Sequence, residues 1–157
     1  MSEIKVREYL KKYHLEDKII TMPSSTATVK EAANSLNCDE AHIAKTLSFQ
    51  TSQDIILIVT AGDVKIDNAK YRAYFHEKAH MIPADQVEEK IGHPIGGVCP
   101  FGVNEGVKIY LDKSLERFTT VYPACGSPHN AIKITVSKLS DIIDYTDWID
   151  VCKLKQD

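Results

Sequence analysis

Five consecutive aliphatic residues, Ile55-Ile56-Leu57-Ile58-Val59, constrain this chain more than any other stretch. A strand that is apolar on both pleat faces must be covered on both, so it belongs in the middle of a sheet. The preceding Lys45-Thr46-Leu47-Ser48-Phe49 alternates polar and apolar residues, as a strand with one face nearer solvent does. Thr51-Ser52-Gln53-Asp54 between them has turn composition. The three segments read as a hairpin of one half-exposed strand and one central, buried strand.

Short elements surround this hairpin. Ile4, Tyr9, Leu10 and Tyr13 fall near helical spacing, which predicts an opening helix over 3–13 with Ser2 as its N-cap. Ile19-Ile20-Thr21-Met22 reads as a short strand stopped by Pro23-Ser24-Ser25. Thr28-Val29-Lys30-Glu31 has the form of a capping box, and Val29, Ala32, Ala33 and Leu36 mark the buried stripe of a second helix. Asp39 is placed to cap a further short turn that delivers Ile43. Helices are predicted over 67–75 and 84–91, strands over 107–111, 119–122 and 131–136, and Ser137 caps a last helix towards Ile143. The order shows no regular βαβ period and no internal repeat. That favours an α+β fold, a mixed sheet with helices packed round it, over a doubly wound parallel sheet. No linker divides the chain, so a single domain is expected over 1–157, with a core at about 26–143. The tail over 144–157 holds the single tryptophan, Trp148, and is expected to dock on the body or on a partner.

With 157 residues, 43% hydrophobic and 26% charged, the composition is that of one soluble globular domain. No apolar run approaches the ~18 residues of a membrane span. Met1-Ser2-Glu3-Ile4-Lys5-Val6-Arg7 alternates charged and apolar residues without a continuous apolar stretch, so no signal peptide is expected and the cytoplasm is the expected location. A formal net charge of −3 argues against the broadly basic surface that holds duplex DNA, leaving room only for local basic patches. Cys38, Cys99, Cys125 and Cys152 stand far apart with no Cys-x-x-Cys pair, so reduced thiols are expected rather than a zinc knuckle or a disulfide framework. No heptad or long exposed apolar stripe is legible, and a monomer is expected.

Four of the seven glycines and two of the six prolines fall in one loop, Gly92-His-Pro-Ile-Gly-Gly-Val-Cys-Pro-Phe-Gly102. Glycine lets another backbone approach closely while proline fixes φ, so the loop has a defined shape. On the residues alone two readings stay open: a tight connection from helix to strand, or a shaped loop that presents its backbone to a ligand. Cys99 and Cys125 each sit beside a glycine-containing turn, with His93 and His129 near them in sequence. A cysteine hydrolase or a small metal site is therefore a rival reading, although these four lack metal-ligand spacing and free cysteine usually packs as a small hydrophobe.

Three motifs together carry a resemblance. Ala41-His42-Ile43-Ala44-Lys45-Thr46-Leu47, then Gly96-Gly97-Val98-Cys99-Pro100-Phe101-Gly102, then Gly126 ahead of the strand around Ile132-Lys133-Ile134, resemble in order and spacing the YbaK/ProX family. These are free-standing aminoacyl-tRNA deacylases related to the editing domain inserted in bacterial prolyl-tRNA synthetases. The resemblance covers roughly 26–143. It implies a curved, partly barrel-like mixed sheet, and as partner the 3′ end of a tRNA esterified to the wrong amino acid, with a synthetase as a second possible partner. It implies no cofactor, metal, DNA or membrane.

The resemblance matches Lys45 to the lysine on which the family's activity depends. A lysine there supplies a compact point charge for phosphate or ester groups. The backbone of Gly96 and Gly97 and the amides near Gly126 are expected to form an anion nest or oxyanion donors, so that Lys45, Gly97 and Gly126 make the catalytic set. Ile43, Leu47, Val98 and Phe101 are candidate pocket walls. Cys99, which stands where the family often has a small residue such as serine, and Pro100 are expected beside the substrate, with Ser127 and His129 as further contacts. His42 and Thr46 rank low, because strand alternation turns them to the opposite face from Lys45. Lys65, Lys70, Arg72 and Lys78 are candidates for contacts to the tRNA body.

No Ser-His-Asp arrangement can be read from the spacing, and the implied mechanism holds and polarises the ester while water or a substrate group attacks. A synthetase pocket separates amino acids that differ by one methylene by only ~1–3 kcal/mol, so a second, size-restricted site is needed to clear small errors. The expected substrate is accordingly a small amino acid on tRNA of the proline type. The alternative is a non-catalytic module of the same fold that holds tRNA or a synthetase, using the Trp148 tail. A binder protects the ester, whereas an enzyme consumes it.

Overall fold

The computed structural model describes residues 2–155. Helix α1 (Ser2–Lys11) lays Val6 and Leu10 into the core, flanked by half-buried Tyr9 and Tyr13, and ends where His14 adopts φ 60°. Ile4 is not part of this stripe; it is 56% exposed. Ser2 is not an N-cap, since it lies within the helix and its hydroxyl is bonded to His93. After β1 (Ile19–Thr21), α2 (Val29–Leu36) begins at the capping residue the sequence marks, with Glu31 N–H donating to Thr28 Oγ1 at 3.1 Å. Its Ala32 and Ala33 pack on Ile43. The turn Glu40–His42 follows, and Asp39 contributes to it through its carbonyl rather than its side chain.

The predicted hairpin is the spine of the sheet. β2 (Ile43–Gln50) and β3 (Ile55–Ala61) pair antiparallel from Ala44↔Ala61 to Gln50↔Ile55. β3 is buried from Ile56 to Ala61, with Leu57 and Val59 in the core on one face and Ile56 and Ile58 in the core on the other. Burying each such side chain contributes about 1.5–3 kcal/mol, which is why a five-residue apolar run settles in the centre of a sheet.

Beyond the hairpin come β4 (Val64–Ile66), α3 (Asn68–Phe75), α4 (Val87–Ile91), β5 (Lys108–Asp112), β6 (Thr120–Pro123), β7 (Asn130–Ile132), β8 (Ile134–Thr135), α5 (Val136–Ile142), β9 (Asp147–Ile149) and β10 (Cys152–Leu154). The main sheet has the order β8-β6-β2-β3-β5-β9, mixes parallel and antiparallel pairs and curls into a half-barrel, while β1 pairs with β7 and β4 with β10. α1, α4 and α5 cover one face and α3 the other. Among the described residues no helix is long and apolar enough to cross a membrane.

Four boundaries differ from expectation. The helix predicted over 84–91 is α-helical only from Val87, behind a 3-10 turn at Ala84–Gln86. The strand predicted over 131–136 divides into β7 and β8, which pair with β1 and β6. Thr135, not Ser137, caps α5, accepting from Lys138 N–H. Lastly, the tail is structural: β9 extends the main sheet beside β5, β10 joins β4, and buried Asp112 accepts an N–H from Val151 at 3.0 Å. The sheet therefore continues past residue 143; residues 156 and 157 of the tail lie outside the described residues.

Candidate functional site

The site grows out of a gap in sheet pairing. β6 pairs with β2 only at Ile43↔Tyr122 and Ala44↔Pro123. Farther along, the segment around Met81 closes the same edge: Gln50 N–H donates to the His80 carbonyl at 2.8 Å and Ile82 N–H to the Ser48 carbonyl at 3.2 Å. Between these two closures opens a cavity of about 350 Å³. Its walls are β2 from Ile43 to Ser48, the approach to α2 from Thr26 to Val29, the glycine loop at Ile95, Gly96 and Val98, and Ile82, Val87, Tyr122 and Asn130. Met81 and Ile95 also line it while remaining 61% and 59% exposed. Among the described residues no aspartate or glutamate lines it.

Of the residues singled out in the sequence, Lys45, Ile43, Leu47, Gly96 and Val98 meet here. The Lys45 ammonium donates to the Val64 carbonyl. Burial, and then the neighbouring charge of Lys155, lower its pKa from 10.5 to about 8. Gly97 and Gly126 serve a different purpose from the one expected. Gly97 N–H donates to the Pro94 carbonyl at 2.9 Å and Gly126 N–H to the Gly97 carbonyl at 3.1 Å, so neither amide is free to hold an oxyanion. A Cβ on Gly97 would lie 2.5 Å from Gly126 C, which makes glycine a condition for these two loops to touch.

The other loop residues sit outside the cavity. Phe101 is fully buried and packs in a tilted arrangement against Tyr9, ring centroids 6.0 Å apart, so it belongs to the core and not to the pocket wall. Pro100 is buried as well. Ser127 Oγ accepts from His129 N–H, and the exposed His129 ring reaches the Ser24 carbonyl at 3.3 Å, so both pin a loop. Cys99 lies 3.6 Å from His93 Nε2, the contact that a thiol hydrolase needs, but both residues are 0% exposed. His93 Nε2 is bonded to the Phe101 carbonyl at 2.6 Å and therefore carries the proton, leaving Nδ1 to accept from Ser2 at 2.5 Å. Burial pushes the Cys99 thiol up to about 12 and the His93 pKa down, so the pair rests neutral. Among the described residues no group of three or more His, Cys, Asp or Glu is placed to hold a metal ion. Lys70, a candidate for tRNA contact, is paired with Asp150 at 3.0 Å.

Sequence reasoning passed over most of the wall. Thr26, Ala27 and Thr28 reach the cavity because the segment before α2 folds against the Gly126 loop, with Thr26 N–H donating to the Pro128 carbonyl. Met81, Ile82 and Val87 arrive through an isolated bridge of Met81 to Phe49. Neither approach leaves a local pattern in the sequence.

An Aminoacyl-tRNA editing domain model matches residues 23–142, which contain the glycine loop and Lys45. The chain belongs to that family, as the three motifs suggest. It is 47% identical to YwhH, an uncharacterized protein of Bacillus subtilis (strain 168), over 154 residues and 98% of each chain. A crystal structure solved as a proposed trans-editing enzyme for prolyl tRNA synthetase superposes with TM-score 0.86 at 27% identity, over 97% of both chains. The chain is also 30% identical to the proline–tRNA ligase of Kosmotoga olearia over 86 residues, which are 54% of this chain but 15% of the ligase.

Proposed function

We propose that this protein is an aminoacyl-tRNA deacylase acting in trans, which hydrolyses the ester of a small amino acid wrongly attached to tRNA, with tRNA of the proline type as the expected substrate. The observation that carries the reading is the cavity along the open edge of β2, with apolar walls and the Lys45 stem in its lining. Small-molecule pockets begin near ~300 Å³, so about 350 Å³ suits an aminoacyl group with part of the terminal nucleoside, and the rest of the tRNA stays on the surface. Family membership supports the substrate class, and the structural neighbour proposed as a trans-editing enzyme supports action in trans. With the Gly97 and Gly126 amides engaged, the charge proposed to stabilise the developing oxyanion is the Lys45 ammonium, which has two protons beyond the one it gives the Val64 carbonyl and has to turn them towards the ester. Water attacks the ester held against it, and no acyl-enzyme forms.

Turnover on Ala, Ser, Cys, Thr and Pro, each esterified to tRNA-Pro and to its cognate tRNA, tests this. Substoichiometric protein is expected to consume one or two of these esters. Protection of every ester by folded protein would assign the chain to a non-catalytic tRNA-binding module instead. Because the Cys99 thiol is sealed and neutral, Cys99→Ala is expected to deacylate within about twofold of the parent. A hundredfold loss in that variant would restore a thiol mechanism.

A further inference from the structure

We infer that Thr46 grips the aminoacyl group, binding the α-ammonium and the ester carbonyl of an ester whose amine is free; the inference rests on the deacylase reading above. Two independent observations meet at this residue. Thr46 Oγ1 is buried without a hydrogen-bond partner among the described residues, and the residue lines the cavity. A hydroxyl in that state is desolvated with no compensation, and a ligand that supplies the missing partner accounts for it. The backbone leads to the same place. Along a strand, N–H and C=O groups of alternate residues face the same edge. The Ser48 carbonyl and Gln50 N–H face away from β3, towards the Met81 segment, and β6 meets the same edge at Ala44. Thr46 N–H and C=O therefore face this edge too, in the stretch where neither neighbour reaches.

The chemistry of the cavity selects what it binds. Among the described residues no carboxylate lines the cavity, and Lys45 is itself a cation, so a ligand ammonium has to be held by neutral oxygens. The Thr46 carbonyl and Oγ1 accept from the α-ammonium while Thr46 N–H donates to the ester carbonyl, in the way an extended peptide is held on a sheet edge. Acylating the amine removes its charge and two of its three protons, and puts bulk where the acceptors lie. Free-amine aminoacyl esters are thus the substrate class, and N-acylated esters are excluded.

Thr46→Val keeps the side-chain shape and deletes Oγ1, whereas Thr46→Ser retains the hydroxyl. On the aminoacyl-tRNA that the parent cleaves best, Thr46→Val is expected to lose roughly tenfold in kcat/KM and Thr46→Ser to stay within about threefold. Thr46→Val is also expected to melt at or above the parent temperature, because it removes an unpaired buried hydroxyl. A threonine that served only the fold would do the reverse, lowering the melting temperature and leaving the kinetics unchanged. The same tRNA ester carrying an acetylated amine is expected to be cleaved by the parent at least about tenfold more slowly than the free amine. Parent-like kinetics in Thr46→Val, or equal cleavage of the acetylated ester, overturns the inference and leaves the deacylase reading standing. Absence of hydrolysis of every ester by the parent overturns that reading, and the inference falls with it.

Discussion

Gly97→Ala is expected to destabilise the protein by about 3 kcal/mol, which for a chain of this size lowers the melting temperature by roughly 6–12 °C. The cause is contact and not backbone conformation. Gly97 is not among the glycines with positive φ, yet its added Cβ would meet Gly126 C and Ser127 N at 2.5 Å each. Both are backbone atoms of a loop fastened by its own hydrogen bonds, so they cannot swing aside as a flexible side chain would. Gly106→Ala makes the comparison. It has nothing within 4 Å but a φ of 92°, so only the left-handed backbone is strained there, at about 1–2 kcal/mol. Thermal unfolding followed by circular dichroism orders the two variants. Because Gly96 and Val98 line the cavity, separating the loops should also slow deacylation. A Gly97→Ala protein that melts within a degree or so of the parent would mean that the two loops part at little cost, and that their contact does not set the cavity wall.

What could be read in advance, and what could not, divides by how local the determining force is. The hairpin was legible because Lys45–Phe49 and Ile55–Val59 each state their burial in their own pattern, and the capping box at Thr28 because its partners are three residues apart. β9 and β10 were not legible: Asp147-Trp148-Ile149 has no period of its own and becomes a strand because β5 offers an unpaired edge and Asp112 a buried carboxylate for Val151. The site divides the same way. The motif around Lys45 lies on the strand that lines the cavity, and the glycine loop supplies part of the cavity wall. The expectation that Gly97 and Gly126 donate to substrate treated glycine as exposed backbone, where here it permits close packing between loops. Thr46 ranked low because alternation puts it on the face opposite Lys45. That remains true of the strand, but the cavity wraps an edge, and an edge left open by the departure of β6 is a tertiary fact.

Lys45→Met is expected to lower kcat/KM by roughly 10²–10³-fold while leaving the protein at least as stable as the parent at neutral pH. Loss of activity follows if the ammonium is the main positive charge facing the developing oxyanion, since among the described residues no other lysine or arginine lines the cavity. The stability result follows from the pKa, whose direction fixes the sign. The native state begins to release the Lys45 proton near pH 8, whereas an unhindered lysine holds it until about 10.5. Between those values the unfolded chain binds more protons, so this group makes stability rise with pH across that window. Below pH 8 both states are charged, and the native state bears the full cost of a half-buried ammonium crowded by Lys155. Methionine keeps the apolar stem in the cavity wall and removes that cost, so the alkaline rise in stability should flatten in the variant. The same titration predicts that the enzyme-dependent rate, after subtraction of spontaneous ester hydrolysis, falls as pH rises through about 8. A Lys45→Met protein as active as the parent would remove the ammonium from the mechanism. An inactive variant with lowered stability would instead make Lys45 a tether for β4, acting through its bond to Val64. Only inactivity with retained stability matches a charge that the fold tolerates at a cost because the chemistry uses it.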